Sequence, residues 1–208
     1  TFHSAFGDEA GAQTWREDAA AAAEFQRARR SDLVMTFDPG YRVRNGEVEI
    51  DAARTVEGLS EVVDRLGPLG VRVGLENWIN APGPELFRAC CERIADQLFG
   101  MLLDVGHLKI ILAAAGAGPA GVEDYLAAIP LPIWEVHVHD NDGKLDQHRP
   151  PADGEWLGRV LRCVRRRGDG PTLTVEAKPE KGAWNLEDAA QLRALGACLA
   201  CVRSAGRA

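Results

Sequence analysis

No stretch of this 208-residue chain is apolar for long enough to cross a membrane. The longest candidate, MLLDVGHLKIILAAAGAG, is broken by Asp104, His107 and Lys109, well short of the ~20 apolar residues that a spanning helix needs. No segment has the basic, apolar and small-residue layout of a secretory leader. Basic charge is also short. The 24 Lys and Arg face 31 Asp and Glu, giving a net charge of −7 and a pI near 5.3. The broad cationic footprint expected of a nucleic-acid binder is therefore missing. Arg162, Arg165, Arg166 and Arg167 do cluster, but they read as the solvated C-terminal end of a helix, where cations suit the dipole. Cysteines number five, an odd count with no scaffold spacing. Cys198-x-x-Cys201 lacks a second pair and lies in an Ala/Leu helical pattern. A disulfide framework is excluded, and the expected setting is a reducing cytoplasm. Linkers of low complexity are absent too. With 46% hydrophobic and 26% charged residues, the composition fits one globular domain over 1–208.

What is present is an alternation of strand and helix patterns. Strands are expected at 1–6, 32–37, 71–77, 100–105, 133–140 and 172–177. Helices are expected at 17–30, 51–70, 84–98, 157–168 and 186–204, with a short one ending near 122–129. Apolar positions at Val56, Leu59, Val62, Val63 and Leu66 show the helical period, and Gly67-Pro68 closes that helix. Repeated βα units imply a parallel sheet. Six such units are two short of a closed (β/α)8 barrel. The chain opens at Thr1, directly inside a strand pattern, so the expectation is that the first two units of the barrel precede it.

Four strands end on metal-ligand side chains: Glu76, Asp104 (with His107 just beyond), His137 and Glu176. The steps between them run close to one βα unit each, about 30 residues in a barrel of about 250. In such a barrel the C-terminal strand ends share one rim, so two Glu, one Asp and one His there suit a hard-to-borderline divalent cation. All five histidines, His3, His107, His137, His139 and His148, lie in or shortly after predicted strands. Strand alternation puts His139 on the same face as His137. It reads either as a hydrogen-bonded structural residue or as a neighbour of the metal ligands. Asp38 reads either as a ligand or as the first residue of an Asp-Pro-Gly turn.

The segments LENW (75–78), DVGH (104–107), HVHDNDGKLDQH (137–148) and TVEAK (174–178) resemble the xylose-isomerase-like TIM-barrel superfamily. That group holds sugar and sugar-phosphate isomerases and epimerases together with the endonuclease IV family. The resemblance implies that Glu76, Asp104, His137 and Glu176 ligate a central divalent metal (Mn, Co, Mg or Zn). It implies that His107 contacts substrate, as in the epimerases, or ligates a further zinc, as in the endonucleases. His3, Asp146 and His148 sit where the endonucleases place ligands of additional zinc ions. Asp38 departs from that pattern, standing in place of a second His. Asp142-Gly143-Lys144 stands where some ketose epimerases carry an arginine.

A cation so held chelates the carbonyl and hydroxyl of a sugar and stabilises the enediolate left when a C–H proton departs. Glu76 and Glu176 are the expected acid/base pair. Trp78 and Trp184 are expected either to wall the pocket or to anchor their loops. The expected partner is a small sugar or sugar phosphate rather than nucleic acid or membrane. Two other readings compete: a multi-zinc phosphodiesterase acting at abasic sites, and a non-catalytic barrel fragment. In the last, open sheet edges seek another chain, as in a homo-oligomer.

Overall fold

The structure, a computed structural model, describes residues 1–7, 12–30, 32–79, 83–151, 154–178 and 189–205. It divides into two compact units, Thr1–Leu102 with Ala128–Glu135, and Leu103–Ala127 with Val136–Ala208.

The first unit contains β1 (Phe2–Ala5), α1 (Ala12–Arg29), β2 (Val34–Asp38), β3 (Tyr41–Arg44), β4 (Glu47–Ile50), α2 (Ala52–Leu66), β5 (Arg72–Glu76) and α3 (Pro84–Arg93). It also holds the beginnings of β6 (Phe99–Asp104) and β7 (Ile133–Val138). Strands β1, β2, β5 and β6 lie side by side, all parallel, with His3 opposite Thr36, Ala5 opposite Asp38 and Glu76 opposite Leu102. Both faces of β2 and β5 are covered, so Val34, Met35, Phe37, Val73 and Leu75 are fully buried. That is why these strands read as continuous apolar runs. Phe6 stacks on Phe37 with ring centroids 4.7 Å apart and meets Trp15 edge-on at 5.3 Å. Helix α2 starts where Asp51 accepts the Arg54 N–H at 3.1 Å, a side-chain cap worth about 1 kcal/mol. It buries Leu59, Val62, Val63 and Leu66 and ends in a 3-10 turn closed by Gly70 at φ 74°.

Several local features differ from the sequence expectation, among them a helix over Val105–Ala114 where a loop was expected. Residues 41–50 form an antiparallel hairpin, β3–β4, between β2 and α2. Its turn residues, Asn45 and Gly46, both have positive φ (53° and 82°), as a two-residue type I′ turn requires. Helix α3 also stops at Arg93 instead of continuing to 98. Asp96 ends it: its carboxylate accepts the Leu98 N–H at 2.7 Å and its carbonyl accepts the Phe99 N–H at 3.1 Å, which launches β6.

The second unit contains the ends of β6 and β7, α4 (Val105–Ala114), α5 (Val122–Ala127), α6 (Gly154–Arg167), β8 (Thr172–Val175) and α7 (Ala189–Ala205). Strand β8 lies beside β7, and the Glu176 N–H donates to the Val138 carbonyl at 3.1 Å. Helix α6 buries Trp156, Leu157, Val160, Leu161 and Val164 along one face. Arg159 ties it to Glu123 on α5 at 3.0 Å. The arginine-rich end of α6 is only partly solvated, since Arg167 donates to the Leu126 carbonyl at 2.7 Å. Among the described residues no single helix is long and apolar enough to cross a membrane. All five cysteines are free thiols.

Candidate metal centre

Each unit carries its own cluster at the C-terminal ends of its strands. In the first unit, His3 of β1 faces the ends of β2 and β5. Its Nε2 lies 3.1 Å from Asp38 Oδ1 and 3.7 Å from Glu76 Oε2, and its Nδ1 is 3.0 Å from the Thr36 hydroxyl. One donor atom from each of His3, Asp38 and Glu76 fits within 4.8 Å of the others, a span that could hold a cation. Glu76 is buried, His3 is exposed, and Trp78 is half-buried two residues beyond Glu76. Asp38 is thus more than a turn residue: its side chain joins the cluster.

The second unit holds a larger array. Asp104 ends β6 and caps α4, and its carboxylate accepts the His107 N–H at 2.6 Å. It is fully buried, and His139 Nε2 lies 2.9 Å from each of its oxygens. A carboxylate only accepts, so His139 carries its proton on Nε2. The other tautomer would bury an N–H at Nδ1, which has no hydrogen-bond partner among the described residues, at a cost of about 1–3 kcal/mol. The His139 ring stacks on that of His148, with centroids 4.1 Å apart and planes 14° from parallel. From there a chain of contacts runs through the array. His148 Nε2 lies 3.0 Å from Asp146 Oδ2, which in turn lies 3.3 Å from His107 Nε2. His148 Nδ1 is 3.6 Å from Glu176 Oε2, and that oxygen is 3.3 Å from His137 Nδ1. Two sets here could hold a cation, Asp104 with His107 and His139, and His139 with His148 and Glu176.

The loop that carries Asp146 and His148 is tied by its own side chains. Residues 140 and 149 pair through two backbone hydrogen bonds of 2.8 Å. Asn141 accepts the Gly143 N–H at 2.8 Å, and Asp142 accepts those of Lys144 (2.9 Å) and Leu145 (3.1 Å). The Leu145 and Lys144 N–H groups hold the Asp142 carboxyl below its usual range. His148 has φ 49°, the left-handed region, which costs a non-glycine residue about 1–3 kcal/mol and collects at functional sites.

Neighbouring side chains shift one another's carboxyl and imidazole groups across the array. Burial acts to raise the Asp146 carboxyl, but hydrogen bonds from His107 and His148 outweigh it and hold the group far below its ordinary value. The hydrogen bond to Asp146 raises His148 against the opposing effect of burial. Burial likewise pushes Glu176 up, and His137, followed by His148 and His139, brings it below the ordinary value. Three carboxylates and four imidazoles thus share one network of oxygen and nitrogen donors, a set suited to borderline divalent ions.

A family model described as xylose isomerase-like TIM barrel matches residues 2–195. The chain belongs to the xylose isomerase-like TIM barrel family. Uncharacterized protein MJ1311 of Methanocaldococcus jannaschii is 29% identical over 153 residues, which cover 70% of this chain. The chain spans about half the length of that curated relative (50%). Among solved structures, a D-tagatose 3-epimerase-like protein is similar with a TM-score of 0.62 at 20% identity, covering 92% of this chain and 72% of its own. The IOLI protein with a bound zinc atom is similar with a TM-score of 0.61 at 15% identity, covering 99% and 76%. Identities this low speak for fold alone.

For this family member, the sequence-predicted residues fall into those two groups. His3, Asp38 and Glu76 meet in the first unit, and Asp104, His107, His137, Asp146, His148 and Glu176 join in the second. Trp184 lies outside the described residues. Sequence reasoning passed over Lys109, whose ammonium meets Asp140 at 2.6 Å, and Asn141, which donates to the Gly106 carbonyl at 2.8 Å. It also passed over Gly106, where a Cβ would overlap the imidazole of His139. The repeated spacing of His137, His139 and Asn141 at every second position was the available signal.

Proposed function

We propose that the chain carries the catalytic site of a divalent-metal-dependent isomerase or epimerase of sugars or sugar phosphates. Its cation ligands are Glu76, Asp104, His137 and Glu176, as the sequence motifs assign them, and Glu76 and Glu176 are the acid/base pair. The observation that carries the reading is the joined array of Asp104, His107, His137, His139, Asp146, His148 and Glu176 in the second unit. Membership of the family and the similarity to an epimerase-like protein and to a zinc-bound one support it.

The residues fit a cation. Carboxylate oxygens and imidazole nitrogens are the donors that Mn, Co, Mg and Zn accept between them. Asp104 is fully buried, and a buried carboxyl group calls for hydrogen-bond, charge or metal partners. When bound, the ion supplies Lewis acidity toward a neighbouring carbonyl and hydroxyl. The protein does the rest. Glu176 is held in its ionised form and its side chain is 35% exposed, so it can accept a proton from a substrate carbon. Returned to the adjacent carbon, the proton completes an isomerisation; delivered from the opposite face by the second carboxylate, it completes an epimerisation. His107 orients a substrate oxygen, and Trp78 walls the sugar beside Glu76.

The test is bound-metal analysis followed by a screen of ketoses and their phosphates for exchange of carbon-bound hydrogen with deuterated water. The expected result is one divalent ion per chain and deuterium incorporation that Glu176→Gln abolishes along with the metal. Full metal content in Glu176→Gln would overturn the ligand assignment. Cleavage of an oligonucleotide at an abasic site would overturn the reaction.

A further inference from the structure

We infer that His139 is a positioning residue, which fixes the carboxylate of Asp104 for the cation without ligating it. The inference rests on the reading of Asp104 as a cation ligand given above. At and just past the end of β7, His137, His139 and Asn141 follow at every second position, and each has a different task. His137 is the expected ligand. His139 places Nε2 at 2.9 Å from both Asp104 oxygens. Asn141 donates at 2.8 Å to the carbonyl of Gly106, in the turn that carries Asp104 into α4. Asp104 is held again from its own helix by the His107 N–H at 2.6 Å. Two donors approaching from different elements leave the carboxylate a single orientation.

The His139 ring is itself confined. Its side chain is fully buried, one face stacks on His148 at 4.1 Å, and its nitrogen-bearing edge rests where a side chain at position 106 would be. Gly106 has ordinary helical backbone, so what position 106 requires is space, not an unusual φ. With its Nε2–H donated to both Asp104 oxygens, the ring acts on that carboxylate, and the role assigned to it is to orient the ligand. This is the arrangement in which an outer partner sets the geometry and basicity of a metal-binding carboxylate, and loss of such a partner weakens metal affinity by about 10–100-fold.

The experiment titrates Co2+ into the chelator-treated full chain and follows the visible absorption, in wild type, His139→Leu and His139→Gln. Leucine fills the space without a donor; glutamine offers an amide N–H at about the reach of Nε2. The expected result is a fall in Co2+ affinity of about 10–100-fold in His139→Leu, largely recovered in His139→Gln, with an altered absorption band in the leucine variant. Wild-type affinity and an unchanged band in a folded His139→Leu would overturn the positioning role and leave the proposed function standing. No Co2+ binding by wild type would overturn both. Should His139→Leu fail to fold, nitrogen-15 NMR of the wild-type imidazole decides: an Nε2–H tautomer with a slowly exchanging proton supports the role, and an Nδ1–H tautomer overturns it.

Discussion

Replacing Gly106 with alanine sets two effects of opposite sign against each other. Position 106 lies in the first turn of α4, where alanine is intrinsically better than glycine by about 1 kcal/mol. A Cβ there, however, overlaps the imidazole of His139, with Nε2 only 2.6 Å away. Overpacking of this kind costs about 1–3 kcal/mol. If the ring yields, its charge-assisted hydrogen bond to Asp104 goes with it, at about 1.5–3 kcal/mol. The unfavourable effects win, and the expected net loss is about 2–4 kcal/mol. For a chain of this size that lowers the thermal midpoint by roughly 5–15 °C, measured by circular dichroism in chelator. The same substitution in a His139→Ala background meets no ring, so only the helix preference remains and the sign reverses to a gain of about 1 kcal/mol. A Gly106→Ala protein as stable as wild type, or a penalty that persists when the His139 ring is gone, would refute the packing argument.

Other outcomes follow from the same structure. The coupling between Asp146 and His148, measured by a double-mutant cycle in chelator, is expected to peak between the ordinary carboxyl and imidazole pKa values, about 4 and 6.5. The lowered Asp146 contributes above its unfolded value and is lost as pH falls through its folded one; the raised His148 contributes below 6.5 and is lost as pH rises through its folded value. A coupling that does not vary with pH would contradict this. Burial, then the neighbouring Cys91, pushes the Cys90 thiol up to about 12, and burial pushes Cys198 up to about 11. Iodoacetamide at pH 8 should therefore leave both unmodified in the folded chain and label them in urea, as mass spectrometry would show. Equal labelling rates in the two states would count against it. Gly46→Ala meets nothing within 4 Å yet is forced to φ 82°, so a loss of about 1–2 kcal/mol is expected from conformation alone, with Gly46→Asn milder. Equal thermal midpoints for both variants and wild type would show that the hairpin turn does not depend on glycine.

Much of this molecule was legible in its sequence because the decisive signals are local. The apolar runs of β2, β5 and β6 are buried on both faces, and each ends where a polar ligand type appears, at Asp38, Glu76 and Asp104. The hairpin at 41–50 is legible as well, since Asn45-Gly46 between alternating residues is a strong turn signal, but it sits inside a regular βα alternation that does not require it. The early end of α3 was harder: Ile94 and Leu98 continue a helical period, and only the Asp96 side chain bonding to the Leu98 N–H breaks it.

What no local pattern contains is the partner of each side chain. Period two places His139 on the face of His137, but it does not say that the ring spans 35 residues of sequence to reach Asp104. Gly106 makes the point more sharply. Read in DVGH, it is a glycine weakening the start of a helix, and helix propensity alone would favour alanine there. The contact explains the choice: the backbone of α4 and the imidazole of His139, just past β7, need the volume that a methyl group would occupy. The cost of glycine is about 1 kcal/mol, and the geometry it permits holds a buried carboxylate in place. A site built this way places its least polar residue under as strict a constraint as its histidines, so substitution at Gly106 should disturb the array as surely as substitution at His139.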